Sequence, residues 1–420
     1  MGQQTLKNRV REDFIAKYSS ILFKSAGNKT EVAAVVRNIL ESILTQPRGP
    51  LKEHERENII NELVDEFSGF GPIEKLMMDP DVTEIMINGT QNVYVEKNGK
   101  KHLTDMKFDS DQQLMYVIQK ILSPTRRRVD ESMPYTDVCL PDGSRVNIII
   151  PPLALDGPTI TIRKFLRKLV KAEDLIELGT LDRKMADFLI ACIKAKINMI
   201  FAGATGSGKT TTVGVLSGYI PNDERTITIE DTAELHLSQD HVVRLETKPP
   251  NIEGKGEISI RDLFRNTLRM RPQRIILGEI RSAEALDMLQ AMCSGHNGAL
   301  SVIHANTPQE VLHRLETLIL TSGIPITLDA IHRQIASSLH LIIQQDQLSD
   351  GSRKITRITQ VSGLKEGLVN LEDLFIYEIT NVIEGGKVYG RFKATGILPS
   401  FFHIFAKRGV NLPKDIFNKD

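Results

Sequence analysis

The chain has 420 residues, with 53 Lys and Arg against 53 Asp and Glu and a formal net charge of +0. This length predicts two or three domains, each able to bury a core, while the charge balance argues against a general nucleic-acid binder. The content of 41% hydrophobic and 25% charged residues excludes wholesale disorder, and the absence of Trp with only 5% aromatic residues disfavours stacking platforms for single-stranded nucleic acid.

The sequence contains no apolar run that approaches the roughly 20 residues of a membrane span. The N-terminus lacks the apolar core of a secretory signal, so we expect a cytoplasmic protein. Cys139, Cys192 and Cys293 are far apart and form no CxxC pair. Neither a zinc ribbon nor a disulfide framework is therefore predicted.

Residues 1 to about 65 carry apolar side chains at helical spacing. One run extends from Val32 to Ile43 and a second from Ile59 to Phe67, with the breaker sequence QPRGP at 46–50 between them. The pattern predicts a small helical module for docking or assembly, without catalytic chemistry.

Segment 70–165 alternates in the manner of strands and predicts a small α+β domain on an antiparallel sheet. The expected strands are Val82–Ile87, Val93–Val95, Asp137–Leu140, Arg145–Ile150 and Thr159–Arg163, and a helix is expected over Gln112–Leu122. Asn-Gly pairs at 88–89 and 98–99 mark hairpin turns.

Short apolar strands and helices alternate from about residue 180 onward, which predicts a largely parallel sheet flanked by helices. The strands are expected at Asn198–Ala202, Thr226–Glu230, Arg274–Glu279, Ala299–His304 and Leu339–Gln344. The helices are expected at Met185–Lys194, Arg261–Arg269, Glu284–Ser294 and Glu310–Leu320.

Residues 203–210, GATGSGKT, match the phosphate-loop pattern GxxxxGK[ST] in full, between a predicted strand and a predicted helix. Glycines let backbone N–H groups face phosphates, and a helix N-terminus adds partial positive charge. We predict that Lys209 neutralises the β- and γ-phosphates of a nucleotide and that the Thr210 hydroxyl ligates Mg²⁺. The alternative is a Gly-rich turn without a ligand. The predicted nucleotide-binding residues are Gly203, Ala204, Thr205, Gly206, Ser207, Gly208, Lys209, Thr210 and Thr211.

Acidic residues follow two other predicted strands. Gly278 stands where P-loop ATPases usually carry an Asp that serves Mg²⁺, so Glu279 is the candidate for orienting water or for holding the metal through water. Glu230, Asp231 and Glu234 would repel one another unless a cation lies among them. Their spacing favours a Mg²⁺ and nucleotide site over an idle loop.

His296 and His304 bracket the predicted strand 299–303. Lone histidines are usually structural, whereas a histidine at a strand end near a γ-phosphate can sense it by a hydrogen bond. The residue pattern leaves both interpretations open.

Longer motifs resemble a known family. The runs GATGSGKTTT, TIEDTAEL, RMRPQRIILGEIR and GHNGALSVIHAN resemble the Walker A, Asp box, Walker B and His box of the secretion ATPase superfamily, which drives type II secretion, type IV pili, archaeal flagella and type IV secretion. LPDGSRVNIIIPPLALDGPTITIRKF and VVRLETKPPNIEGKGEISIRDL are similar to its CpaF branch, which powers tight-adherence (Tad) pilus assembly. The resemblance covers roughly residues 70–400.

This resemblance implies an α/β fold in which a RecA-like P-loop ATPase domain follows a small α+β (PAS-like) domain and an N-terminal helical bundle. The expected boundaries are 1–68 for the helical module, 69–168 for the α+β domain, 169–181 for a hinge and 182–420 for the ATPase domain. The family fold implies a homo-hexamer in which ATP and Mg²⁺ lie between the last two domains. Hydrolysis would rotate one domain against the other.

The resemblance also implies residue roles. Arg145 and Arg163 are expected to reach the γ-phosphate as arginine fingers, although each by itself is merely a basic residue on a strand. The other expected catalytic residues are Glu279, Glu230 and His304, and Thr210, Glu230 and Glu279 are expected to hold Mg²⁺, partly through water. Further family motif positions are Asp231, Glu234, His296 and Arg281.

Several positions depart from the family pattern. Ser282-Ala283 stands where the branch commonly has a Gly pair, Gln273 replaces a frequent Asp, and Cys293 lies where Asn is common. None of these residues belongs to the phosphate loop. The tetracysteine zinc insertion of the type II secretion branch is missing.

The expected function is a hexameric ATP-driven motor on the cytoplasmic face of the inner membrane, associated with it peripherally through platform proteins, that adds or removes pilin subunits. The alternative is a type IV secretion ATPase that moves protein or feeds DNA transfer. A ring helicase is disfavoured by the charge balance, and no direct nucleic-acid contact is expected. A nucleotide-sensing scaffold without hydrolysis is disfavoured by the intact Lys209, Thr210 and Glu279.

Overall fold

The structure is a computed structural model that describes residues 6–7, 9–11, 13–14, 29–44, 53–97, 99–125, 127–164, 171–250, 254–383 and 386–419. The chain divides into two compact units, Met1–Leu166 and Arg167–Asp420. Both units contain helices and sheet, so the predicted mixed α/β class is confirmed. Over these ranges, no helix has the length and apolar character needed to cross a membrane.

The described residues between 6 and 14 are helical, and the first unit also contains helices α1 (Lys29–Leu44) and α2 (Glu53–Ser68). Their apolar side chains recur at helical spacing and are buried in one cluster that also contains Leu6, Val10 and Phe14. Both predicted helices are therefore confirmed. The breaker sequence at 46–50 lies outside the described residues.

A six-stranded antiparallel sheet forms the remainder of the first unit, with spatial order β3-β2-β1-β6-β5-β4. Its strands are β1 (Val82–Asn88), β2 (Asn92–Lys97), β3 (Lys100–Leu103), β4 (Tyr135–Cys139), β5 (Arg145–Ile149) and β6 (Thr159–Arg163), and its helices are α3 (Glu74–Met78) and α4 (Asp111–Leu122). Helix α4 buries Leu114, Val117 and Ile118 in the same core as the inward-facing strand residues. The predicted antiparallel sheet is confirmed.

The second unit is built on a nine-stranded sheet of order β15-β14-β13-β12-β7-β11-β10-β8-β9. Six neighbouring strands are parallel: β7 (Met199–Ala202), β8 (Thr226–Glu230), β9 (Val242–Glu246), β10 (Arg274–Leu277), β11 (Leu300–Ile303) and β12 (Leu341–Gln347). The last three strands form an antiparallel meander: β13 (Arg353–Lys365), β14 (Leu368–Val382) and β15 (Val388–Ala394).

Helices cover both faces of this sheet. They are α5 (Ala172–Glu177), α6 (Arg183–Lys194), α7 (Lys209–Ser217), α8 (Ile260–Thr267), α9 (Glu284–Cys293), α10 (Pro308–Leu320), α11 (Leu328–Ser338) and α12 (His403–Lys407). Along β7, Met199 and Phe201 enter one buried cluster, whereas Ile200 and Ala202 enter the other. A strand buried on both faces reads as a continuous apolar run, which is why β7 is easy to predict.

The meander, β9 and α11 are absent from the sequence prediction. Register shifts between Ile358 and Thr359 and between Val361 and Leu364 interrupt the period-two alternation that marks a strand. Part of the predicted hinge also differs from an extended linker, because residues 172–177 are helical and Ala172, Leu175 and Leu181 are buried in the second unit's core. Residues 165–170 lie outside the described ranges.

Candidate functional site

The phosphate-loop sequence joins the buried strand β7 to helix α7. Gly206 and Gly208 have φ angles of +80° and +95°, which only glycine adopts without strain. A β-carbon at Gly203 would lie 2.1 Å from the carbonyl oxygen of Gln345 on β12. The glycines at these three positions are therefore required by backbone geometry and by close packing, in the strand–loop–helix arrangement that binds phosphate.

Lys209 is the first residue of α7 and is only 5% exposed. Its Nζ donates to the carbonyl oxygens of Gly203 at 2.8 Å and Ala204 at 2.7 Å. The ammonium group thus lies over the start of the loop. Thr210 and Thr211 follow in the first helical turn, where Thr210 is half-buried and Thr211 is exposed.

Three strands bring further candidate residues to the same sheet edge. Strands β8, β10 and β11 are parallel to β7. Glu230 is the last residue of β8, Glu279 lies two residues after β10, and His304 directly follows β11. The carboxyl ends of parallel strands share one edge, which is where ligands bind in open α/β sheets. Glu230, Glu279 and His304 therefore lie at the phosphate-loop edge of the sheet.

Glu279 connects two of its neighbours. Its Oε2 accepts a hydrogen bond from Arg281 Nη2 at 2.6 Å, and its Oε1 lies 3.2 Å from His304 Nε2. The other terminal nitrogen of Arg281 lies 3.0 Å from Asp231 Oδ2. The hydrogen bond to Glu279 and the charge of that carboxylate raise the pKa of Arg281. The guanidinium therefore remains charged and orients the carboxylates of Glu279 and Asp231.

Glu230 is buried, with 3% of its surface exposed. Its Oε2 accepts hydrogen bonds from the backbone N–H groups of Glu234 at 2.8 Å and Leu235 at 3.0 Å. Its other oxygen, Oε1, is buried and has no hydrogen-bond partner. Burial raises the pKa of this carboxyl group, and the two N–H donors act in the opposite direction.

The side chain of Glu230 also accounts for Gly278. A β-carbon at position 278 would lie 2.8 Å from Cγ of Glu230, closer than carbon atoms approach in proteins. Position 278 lacks the acid that P-loop ATPases usually carry there. The side chain of Glu230, from the neighbouring strand β8, occupies that space instead.

We expect Gly278→Ala to displace Glu230 and to reduce nucleotide turnover by more than tenfold, with a stability loss of about 1–3 kcal/mol from overpacking. Gly214→Ala is the matched control, because a β-carbon there would meet only Leu235 Cδ2, at 3.8 Å. Steady-state turnover and thermal unfolding of both variants check this prediction. Wild-type turnover in Gly278→Ala would contradict it.

His304 has a pKa below its ordinary value because it is partly buried and because Lys209 repels the charged form. Burial and Lys209 therefore both favour the neutral imidazole, and Glu279 acts in the opposite direction. His296 precedes β11, whereas His304 follows it, so the two residues lie at opposite ends of the strand. The structure brings only His304 to the edge that carries the phosphate loop.

The depressed pKa of His304 predicts a pH dependence. Nucleotide turnover should be constant down to below pH 6.5, the approximate pKa of an unperturbed histidine, and then fall as the imidazole gains a proton. A pH profile of kcat/KM should lose this acidic decline in His304→Gln and keep it in the control His102→Gln, which alters an exposed residue of β3. A decline already complete above pH 6.5 would exclude His304 as the titrating group.

Arg145 and Arg163 lie in the first unit and are directly opposite each other on the antiparallel strands β5 and β6. Two like charges in this position repel each other. Arg163 lies 3.9 Å from Glu84 on β1. The neighbouring residues Val146 and Ile162 are buried in the core, so alternation directs both arginines to the face of the sheet away from that core.

Two contacts to the phosphate loop come from residues that the sequence did not single out. Arg353 Nε donates to the carbonyl oxygen of Gly206 at 2.9 Å, and Gln345 packs against Gly203 and Gly208. Both residues lie more than 130 positions further along the chain. No local sequence signal connects them to the loop, because only the pairing of β12 with β7 and β13 brings them there.

The strand order, the glycine geometry and the buried Lys209 define a P-loop nucleotide-binding fold. A family model described as "Type II/IV secretion system protein" matches residues 66–365. The chain belongs to this family, which confirms the broader part of the predicted resemblance.

Relatives with known names support the same assignment. The chain is 30% identical over 299 residues to a Mycobacterium tuberculosis protein named for conjugal transfer, covering 70% of this chain and 84% of that protein. It is 30% identical over 324 residues to the type IV secretion system protein VirB11 of Bartonella henselae, covering 68% and 90% of the two chains. The crystal structure of the pilus retraction motor PilT with bound ADP aligns with a TM-score of 0.51 at 19% identity, covering 70% and 83%. That likeness concerns the fold alone.

Proposed function

We propose that the protein hydrolyses ATP to ADP and phosphate in the presence of Mg²⁺. The observation that carries this proposal is the convergence of Lys209, Glu279 and His304 at one edge of the parallel sheet. Lys209 provides charge for the β- and γ-phosphates, and Glu279 is the acid available to accept a proton from the attacking water. As the water oxygen bonds to the γ-phosphorus, the bond from that phosphorus to the bridging oxygen breaks.

The residues present fit a magnesium nucleotide. Thr210 lies in the first turn of α7, and Glu230 has one buried carboxylate oxygen, Oε1, without a hydrogen-bond partner. Thr210, Glu230 and Glu279 would hold Mg²⁺, in part through water. When bound, the ion neutralises phosphate charge and orients the phosphates. Arg281 keeps Glu279 in place through its second contact with Asp231.

We further propose that Arg145 and Arg163 reach the γ-phosphate as arginine fingers. Their direct opposition across β5 and β6 supports this role, because an anion between two guanidinium groups offsets their repulsion. Glu234 and His296 complete the proposed Asp and His boxes. The hinge between an α+β, PAS-like domain and a RecA-like domain would then lie at residues 169–181.

At the level of the cell, we propose a hexameric motor of the CpaF type that powers assembly, with or without retraction, of a Tad or type IV-like pilus. The motor would be cytoplasmic and would associate with the inner membrane through platform proteins. Successive ATP-driven closures would push or turn the platform and so add or remove pilin subunits. The sequence runs at 140–165 and 242–263 support this branch.

Type IV secretion is the second candidate function, and the relatives named for conjugal transfer and type IV secretion support it. The ATP chemistry would be the same, and the transported substrate would be protein or DNA-transfer components. Surface pilus counts and DNA-transfer frequency, measured in cells that carry Lys209→Ala, distinguish the two functions.

Loss of pili with normal DNA transfer supports the pilus motor, and the reverse result supports secretion. Lys194→Ala, which alters an exposed residue at the end of α6, is the control for expression and for general effects of charge removal. Normal piliation and normal transfer in Lys209→Ala would contradict both candidate functions.

A further inference from the structure

A cavity of about 510 Å³ adjoins the start of the phosphate loop. One wall is formed by Gly203 and Ala204, the two residues whose carbonyl oxygens accept hydrogen bonds from Lys209. Helix α10 contributes Arg314 to the lining, and His304 and Asn306 also line the cavity. The cavity therefore lies on the side of the loop that faces His304 and, through it, Glu279.

The charges around this cavity are unevenly paired. In the part of the chain that the structure describes, Arg314 makes no ion pair and no hydrogen bond. Glu310, which lies four residues earlier on the same helix and also lines the cavity, accepts hydrogen bonds from the backbone and side-chain nitrogens of Asn306 at 2.8 and 3.0 Å. Glu279 is engaged by Arg281. Among the described residues, Arg314 is therefore an exposed lining cation without an acidic partner, and a phosphate group could supply that partner.

We propose that this cavity binds the phosphate group that is cleaved from ATP, and that Arg314 is its principal ligand. The inference rests on the proposed ATPase function and adds a residue and a site to it. A planar guanidinium binds two phosphate oxygens at once, which a lysine cannot do. Because Arg314 lies on α10 and belongs neither to the phosphate loop nor to α7, it can bind a phosphate without displacing ADP from α7.

The same chemistry fits two forms of the ligand, the terminal phosphate of bound ATP and the free phosphate after cleavage. Two measurements on the full-length protein separate them. Rapid chemical quench in a single turnover reports cleavage, and calorimetric titration of inorganic phosphate into the protein with ADP and Mg²⁺ reports binding of the free ion. The variants are Arg314→Ala and Arg314→Lys, with Arg333→Ala as the control, since Arg333 is an exposed arginine of α11 paired with Asp329.

We expect Arg314→Ala to weaken inorganic phosphate binding about 10- to 100-fold, the loss typical of hydrogen bonds to a charged group. Arg314→Lys should restore part of this loss, and ADP affinity and Arg333→Ala should be unaffected. Slower cleavage in Arg314→Ala would additionally assign Arg314 to the terminal phosphate of ATP. Unaltered cleavage with weakened phosphate binding would assign it to the released ion.

Wild-type phosphate affinity together with wild-type cleavage in Arg314→Ala would overturn the proposal. Failure of the ATPase function would appear differently, as absence of cleavage in the wild-type protein. The titration of inorganic phosphate does not depend on turnover, so it tests the site in either case.

Discussion

Replacing Lys209 with alanine is expected to reduce ATP turnover by at least about 10²–10³-fold, the loss that follows removal of one preorganised group from a developing charge. The reason is position as well as charge. Lys209 is buried at the start of α7, and its Nζ is fixed over the loop by the carbonyl oxygens of Gly203 and Ala204. Phosphate-release kinetics and titration with ADP and Mg²⁺ measure turnover and nucleotide affinity separately.

The expected loss should be specific to the site. Lys209→Ala should unfold at a temperature close to that of the wild type, because the Nζ hydrogen bonds to Gly203 and Ala204 lie within the phosphate loop itself and not in the apolar core. Lys194→Ala, an exposed change at the end of α6, should leave turnover unaltered. Turnover within a few fold of wild type in Lys209→Ala would exclude phosphate binding at this loop.

Glu279→Gln is the second change with a large expected effect. Glutamine keeps the size of the side chain and an oxygen for Arg281, but it cannot accept a proton from water. We expect turnover to fall by about 10²–10⁴-fold, the usual contribution of a general base, while ADP affinity is retained. Rapid chemical quench measures ATP cleavage, and calorimetric titration with ADP and Mg²⁺ measures nucleotide affinity. Glu279→Gln should lose cleavage alone, whereas Lys209→Ala should lose both cleavage and affinity.

The control for this variant is Glu131→Gln, which alters an exposed residue of the first unit. Retained turnover in Glu279→Gln would assign the proton transfer to another group. Glu230 would then be the next candidate, because it lies at the same sheet edge. Its pKa is raised, and its Oε1 has no hydrogen-bond partner.

Much of the site could be predicted because its signals are local. The phosphate loop is a contiguous motif between a strand and a helix, Glu230 ends a buried strand, and Glu279 follows another by two residues. Parallel strands bring such ends to one edge, so sequence alone predicts that these residues meet. The antiparallel sheet of the first unit is predictable for a similar reason, since most of its strand residues alternate in burial and the Asn88-Gly89 turn joins β1 to β2.

The remainder depends on tertiary contacts. Nothing in the order of residues indicates that Arg353 bonds to the Gly206 carbonyl oxygen or that Gln345 packs on Gly203. The two histidines were equivalent in sequence, and only the direction of β11 separates them. Bulges in β13 and β14 disrupted the alternation on which strand prediction depends.

The contact between Glu230 and Gly278 has a consequence for how this site tolerates change. A β-carbon at position 278 and the side chain of Glu230 would occupy the same space, so the structure cannot accommodate both. A scan of single substitutions would therefore report both positions as intolerant. An acid at 278 combined with a small residue at 230 should be tolerated better than either change alone, so the pair is strongly non-additive. Moving the carboxylate from one strand to its neighbour would require two simultaneous substitutions.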